Sequence, residues 1–253
     1  MTGSQATPLH GVDAVIFDLD GVITDTAAVH AIAWKRAFDR FIERRLGPRA
    51  RPFDADLDYK RYVDGKPRFD GVDSFLRSRG IELPRGDRAD PPGDETVCAI
   101  GNRKNAEFLA EVAERGVDAF PSSVALVDDL RSHGVRTAVI SASRNCVPVL
   151  RAAGIESIFD VKVDGVDMDR LGLPGKPDPA IFLRAASDLR VDPGRSAVVE
   201  DALAGVDAGR RGGFAVVVGV ARDEHARELL GAHADVVVGD LGELRDGAGG
   251  VGR

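Results

Sequence analysis

Residues 14–26 read AVIFDLDGVITDT. The run starts as an uninterrupted apolar strand and ends in polar and turn-forming residues. Two aspartates, Asp18 and Asp20, stand where the apolar residues stop. In a strand, residues i and i+2 share a side, so both carboxylates face one pocket at the strand's carboxyl end. Gly21 then lets the chain turn tightly. Close carboxylates repel and raise a pKa unless a cation sits between them. A single aspartate here would be read as a turn or helix-cap residue; a pair ending a buried strand points to function.

Further β-branched runs occur at 136–143, 159–163, 196–201, 215–220 and 234–239. Most lack polar alternation, as expected of strands covered on both faces. Helical patterns lie between them, over 124–133, 146–153, 180–189 and 202–211, the last stopping at Gly212-Gly213. Alternating strand and helix predicts an α/β fold with a parallel sheet and helices on both faces. Residues 26–116 break the alternation. They carry helical patterns over 26–46, 71–79 and 102–115, two Pro/Gly/Asp-rich loops at 47–56 and 84–96, and no convincing strand. A helical domain is therefore inserted after the first strand and its turn. The predicted core is 1–27 with 118–253, and the insert, 28–117, is placed as a cap over the carboxyl ends of the strands, where such sheets bind ligands.

Composition narrows the class. A net charge of −7 disfavours nonspecific nucleic-acid binding, which needs basic surface. No apolar run approaches the ~20 residues of a membrane span. The first residues, MTGSQATPLHG, lack the basic, apolar and small-residue order of a signal peptide. Cys98 and Cys146 offer neither a disulfide framework nor metal spacing. The expectation is a cytoplasmic protein, by default a monomer, with frayed ends over the first ten residues and 246–253.

Three more segments carry chemistry. RTAVISAS places Ser141 and Ser143 just beyond a strand, followed by Arg144 and Asn145. A hydroxyl with backbone N–H groups at a helix start forms an anion site, although Ser and Asn caps are common by themselves. GKPDPAIF places Lys176 in a Gly/Pro-fixed turn before a helix, and SAVVED places Glu200 and Asp201 at another strand end. Taken singly, these read as a surface lysine and a helix-start charge pair. Together they give four acids, a lysine and a serine at the ends of central strands, a combination that suits Mg²⁺ and phosphate.

With those residues assembled, the chain resembles the haloacid dehalogenase superfamily of aspartate-nucleophile phosphotransferases. Its four motifs appear in order: DLDGVITDT, the serine of VISAS, the lysine of GKPDP and the acid pair of VVED. The resemblance runs from about residue 12 to 242 and implies a Rossmann-like doubly wound core with an α-helical cap. It implies Asp18 as nucleophile and Asp20 as general acid/base. Mg²⁺ is implied at Asp18, the Asp20 carbonyl and Asp201, with Glu200 close by. Ser141 and the Ala142 N–H are implied to hold phosphoryl oxygens, and Lys176 to neutralise charge.

Within the superfamily the β-phosphoglucomutase subfamily is the nearest pattern. DGVITDTAAVHAIAWK supplies Thr26, His30 and Trp34. Lys104, in RKNAEF, resembles a cap lysine that touches sugar and general acid. Gly65 and Arg68, in DGKPRFDGVDSFL, resemble a cap phosphate-binding segment, though the loop is about two residues longer here. Ser143, Arg144 and Asn145 resemble the loop that grips a distal phosphate. The implied activity is isomerisation of β-D-glucose 1-phosphate and glucose 6-phosphate through an aspartyl phosphate and β-glucose 1,6-bisphosphate, with a small-molecule sugar phosphate as partner. A sugar-phosphate phosphatase is the alternative. A phospho-accepting receiver domain would leave the roughly 90-residue insert unexplained, and a catalytically silent binding module would not need every catalytic residue type. Without the resemblance, Trp34 reads as helix core, His30 as a surface or satisfied histidine, Arg144 as a solvated first-turn residue and Lys104 as a solvent-facing lysine. Asp128, Asp129, Asp164, Asp167 and Asp169 read as solvated or loop acids, and Cys146 is assigned no chemistry.

Overall fold

The computed structural model describes residues 8–63 and 66–245. Gly65 and the terminal segments 1–7 and 246–253 lie outside the described residues. Leu9, within the stretch expected to fray, is buried. The chain divides into two compact units, Met1–Asp25 with Val117–Arg253, and Thr26–Gly116. These bounds differ from the sequence-based ones by one or two residues.

The first unit holds six parallel strands in the order β3-β2-β1-β4-β5-β6. They are β1 (Ala14–Asp18), β2 (Arg136–Ile140), β3 (Val161–Val163), β4 (Ser196–Glu200), β5 (Val216–Val220) and β6 (Val236–Val238). β1 lies at the centre, with Ala14 opposite Arg136 on one side and Ser196 on the other. Every residue of β1 and β4 is buried, which explains why these strands show no polar alternation. The edge strands β3 and β6 are only three residues each and partly exposed, which limits an open edge.

The helices of this unit are α4 (Pro121–Ser132), α5 (Cys146–Ala152), α6 (Gly165–Leu171), α7 (Ala180–Leu189), α8 (Leu203–Arg211) and α9 (Glu224–Gly231). Ala14 and Ile16 of β1 join Ala138, Ile140 and Val198 in a cluster completed by Ile181, Phe182 and Ala185 of α7 and Val206 of α8. Phe17 instead meets Phe159, ring centroids 6.2 Å apart. The sheet order changes direction between β1 and β4. That switch point opens a crevice at the carboxyl ends of the strands.

The second unit contains α1 (Ala27–Leu46), α2 (Arg68–Ser78), α3 (Val97–Arg115) and a π-helical turn at Tyr59–Val63. Its own core joins Trp34, Phe38, Phe41 and Ile42 of α1 to Phe53, Val72, Phe75, Leu76, Val97 and Ile100. α3 begins five residues before the periodic pattern did, because the Thr96 hydroxyl accepts the Ala99 N–H at 2.9 Å and caps the helix. The sequence reading missed α6, α9 and the π-helical turn. It also left Asp164 as a loop or solvated acid, whereas Asp164 is buried and caps α6 in a reciprocal capping box with Asp167.

Candidate active site

The crevice is built from the ends of β1, β2 and β4. Asp18 closes β1 and pairs in register with Ile140, the last residue of β2. Three residues on, Gly21 adopts φ +81°, and a Cβ there would lie 1.9 Å from Asp201 Oδ2. A glycine at this turn therefore lets the Asp201 carboxylate approach the backbone next to Asp20. Gly205 does the same for Glu200, whose Oε1 would lie 2.0 Å from an added Cβ.

Lys176 draws the acids together. Its Nζ donates to Asp18 Oδ1 at 2.5 Å and also to Glu200 Oε1. The other Glu200 oxygen accepts the Ala202 N–H at 2.7 Å. Lys176 also lies 5.3 Å from the Phe182 ring centroid. Burial opposes its charge, yet Asp18 and Glu200 hold the ammonium pKa above the usual lysine value. Burial pushes the Asp18 carboxyl up to about 8; Lys176 opposes the rise, while Glu200 and Asp20 add to it. Asp201 is likewise raised, by burial first and then by Glu200 and Asp18. The pocket therefore holds more negative charge than Lys176 offsets.

β2 brings the serine loop beside these acids. The Ser141 hydroxyl donates to Asp20 Oδ2 at 3.2 Å and accepts the Ser143 N–H at 3.0 Å. The Ser143 hydroxyl accepts the Asn145 N–H at 3.1 Å, which tightens the turn into α5. Ser141 and Asn145 are buried, while Ala142 and Arg144 are exposed. Arg144 faces Asp169 of α6 at 3.7 Å, so Asp169 is not simply a loop acid. Behind the loop, Gly165 packs so closely that a Cβ would lie 2.6 Å from the Ala142 carbonyl oxygen. The sequence reading missed Gly165 and Gly205. Their one signal is a glycine placed near the start of a helix.

In the helical unit, Thr26 caps α1 and its carbonyl accepts the His30 N–H at 2.9 Å. His30 Nδ1 lies 2.7 Å from Lys104 Nζ, and its ring stacks on Phe108 at 4.4 Å. Lys104 is only 4% exposed and sits over the rings of Phe108 and Trp34. It is therefore not a solvent-facing lysine. Trp34 stacks on Phe38 within the core of the helical unit and lies beneath Lys104. Arg68 opens α2 and reaches Asn102 Oδ1 at 3.5 Å. It belongs to the second unit, and Ser143, Arg144 and Asn145 to the first.

Among the described residues, no three His, Cys, Asp or Glu side chains form a ready cation cage. Glu200 has both oxygens engaged by Lys176 and Ala202, so it secures the lysine. No helix among those residues is long and apolar enough to cross a membrane.

The doubly wound sheet and its acid–lysine–serine crevice agree with the comparison by sequence: residues 12–213 match the haloacid dehalogenase-like hydrolases, and the chain belongs to that family. Among its relatives, the β-phosphoglucomutase of Mycobacterium bovis is 46% identical over 92% of this chain and 91% of its own length. That of Bacillus subtilis is 34% identical over 91% of each chain. A crystal structure of the Clostridium difficile β-phosphoglucomutase superposes with a TM-score of 0.70 at 28% identity, covering 93% of this chain and 94% of that one.

Proposed function

We propose that the protein interconverts β-D-glucose 1-phosphate and glucose 6-phosphate by transferring a phosphoryl group to and from Asp18. The observation that carries this reading is the 46% identity, along nearly the whole of both chains, to a β-phosphoglucomutase. The buried Asp18–Lys176–Glu200 arrangement beside Asp20 and Ser141 supplies the chemistry.

In the proposed reaction an Asp18 oxygen attacks the phosphorus of a glucose bisphosphate. The P–O bond to the sugar breaks as Asp20 gives its proton to the departing oxygen. Attack at the C1 phosphate leaves glucose 6-phosphate, which departs. A β-glucose 1-phosphate then enters with its 6-hydroxyl toward phosphorylated Asp18, and the bisphosphate formed from it reorients for the next round. Asp20 takes the proton from the incoming hydroxyl, whose oxygen recovers the phosphoryl group and frees Asp18. Lys176 holds Asp18 and offsets charge on the transferring group. Ser141 and the Ala142 N–H orient the phosphoryl oxygens. Arg68, Ser143, Arg144 and Asn145 are assigned to the distal phosphate. His30, Lys104 and Thr26 are assigned to the sugar and to the setting of Asp20, with Trp34 beneath them.

The site fits a divalent cation. Asp18 must be ionised to attack, yet burial holds its pKa at about 8 without one, and Asp201 is raised as well. Asp18, the Asp20 carbonyl and Asp201 are hard oxygen donors suited to Mg²⁺. When bound there, Mg²⁺ would supply positive charge that ionises the carboxylates and balances the phosphoryl group. We read the protein as a cytoplasmic monomer acting on small-molecule sugar phosphates.

The test supplies purified protein with Mg²⁺, β-glucose 1-phosphate and a trace of β-glucose 1,6-bisphosphate, and follows glucose 6-phosphate and free phosphate together. Rapid glucose 6-phosphate formation with little free phosphate, abolished in Asp18→Asn, is the expected result. Phosphate release without isomerisation would replace the mutase by a sugar-phosphate phosphatase.

A further inference from the structure

Arg222 lies two residues beyond β5, in the exposed loop before the Asp223 cap of α9. None of the chemistry above uses it. Its guanidinium donates to the Gly21 carbonyl oxygen, on the Gly21–Val22 peptide, one Cα beyond the peptide that carries the Asp20 carbonyl. The same guanidinium carbon lies 3.8 Å from the Phe120 ring centroid.

Those two partners belong to segments already joined to each other. Gly21 N–H donates to the Thr24 carbonyl at 2.9 Å, and Phe120 N–H donates to the Ile23 carbonyl at 2.9 Å. Thr24 bridges Ala119. The segment leaving the core after Asp20 and the segment returning to it thus form one small layer. Arg222 touches both parts of that layer from a third strand end.

Gly21 also carries the turn's positive φ and the close contact with Asp201. A shift of its carbonyl turns the Gly21 Cα, to which the peptide carrying the Asp20 carbonyl is directly bonded, and so disturbs the setting of Asp20. Arginine suits this role because its planar fork donates at its edge while its face covers an aromatic ring.

We propose that Arg222 is a positioning residue for Asp20, fixing the Gly21 peptide against the Phe120 ring. The role in catalysis rests on the reading of Asp20 as general acid/base; the clamp itself rests only on the contacts.

The test compares wild type, Arg222→Ala, Arg222→Lys and Phe120→Leu by native-state amide hydrogen exchange and by steady-state kinetics. In Arg222→Ala, the amides of Ile23, Thr24 and Phe120 are expected to exchange about tenfold faster while β2 and β4 keep their protection. The kcat for isomerisation is expected to fall about tenfold or more, with KM within about twofold, as for an interaction that serves the transition state. Arg222→Lys restores the contact to Gly21 without the planar stack and recovers activity in part; Phe120→Leu reproduces part of the exchange change. Unchanged exchange at 19–25 would overturn the clamp. Loss of protection throughout the sheet, or a raised KM at constant kcat, would overturn the positioning role. The exchange arm needs no substrate. A wild type that forms no glucose 6-phosphate would count against the mutase and leave the clamp to be judged separately.

Discussion

Lys176 donates to Asp18 and to Glu200, both largely removed from water. Replacing it by alanine leaves two buried carboxylates facing each other without their cation. Breaking a buried ion pair in this way costs about 3–5 kcal/mol. Lys176→Ala should therefore lower the thermal midpoint clearly and reduce activity by about a thousandfold, and added Mg²⁺ should recover part of the stability but little of the rate. A scan with and without Mg²⁺ checks the first part; an unchanged midpoint would mean that the acids find another partner. The two thiols give a prediction of opposite character. Burial raises Cys146 above the usual thiol range, with Asp164 and Asp20 adding to it, and burial also raises Cys98. A raised thiol pKa keeps the unreactive protonated form as pH rises, and both residues are shielded. The folded protein should release almost no colour from a disulfide reagent between pH 7 and about 9, and two equivalents on unfolding. Rapid native-state labelling would mean that one thiol is exposed by opening.

At the level of elements, caps decided what periodicity left open. α3 carries Lys104, and its first turn, Val97 to Ile100, is apolar on every side; a helical stripe cannot be read from such a run. Thr96 supplies the missing start, since its hydroxyl accepts from Ala99 and donates to Asp90 Oδ2 at 2.6 Å. Thr96→Ala should cost about 1 kcal/mol, visible as a lower denaturation midpoint with an unchanged slope. A neutral result would show that water replaces the cap. The strands were legible because both faces of the sheet are covered, which leaves short apolar runs ended by acids, serines and glycines. α6 was not legible. Its sequence GVDMDRL has no apolar stripe, and it buries only Gly165, against the Ala142–Arg144 backbone. α9 buries only Leu230. The reasons for Gly165, Gly205 and Arg222 lie in partners that the fold brings near. For Arg222 that partner is 201 residues away.

On the scale of the whole chain, the acids and serine of the proposed site stood out in the sequence because each ends a strand or begins the loop after it, and a parallel sheet aligns such ends on one side. Lys176, in the loop between α6 and α7, reaches Asp18 and Glu200 only through the fold. The division into units was legible from the break in alternation, and the structure adds how the core closes across it. Asp25 N–H donates to the Asp118 carbonyl at 2.9 Å, Thr24 bridges Ala119, and Phe120 N–H reaches the Ile23 carbonyl. The points of exit and return are thus already joined within the core, which also has a hydrophobic cluster of its own. Closing so short a gap costs little chain entropy. A protein in which a four-residue Gly/Ser link replaces 26–116 should therefore fold cooperatively and keep Asp18, Asp20, Ser141, Lys176 and Asp201 in place. With Mg²⁺ it should hydrolyse a small activated ester such as p-nitrophenyl phosphate. It should lose glucose 6-phosphate formation by about a thousandfold or more, because Lys104, His30 and Arg68, the residues proposed for the sugar and the distal phosphate, leave with the insert. Circular dichroism, denaturant unfolding and the two product assays read the outcome. A shortened protein that isomerises at the full rate would place substrate selection in the core alone; one that cannot fold would show that the core depends on its insert.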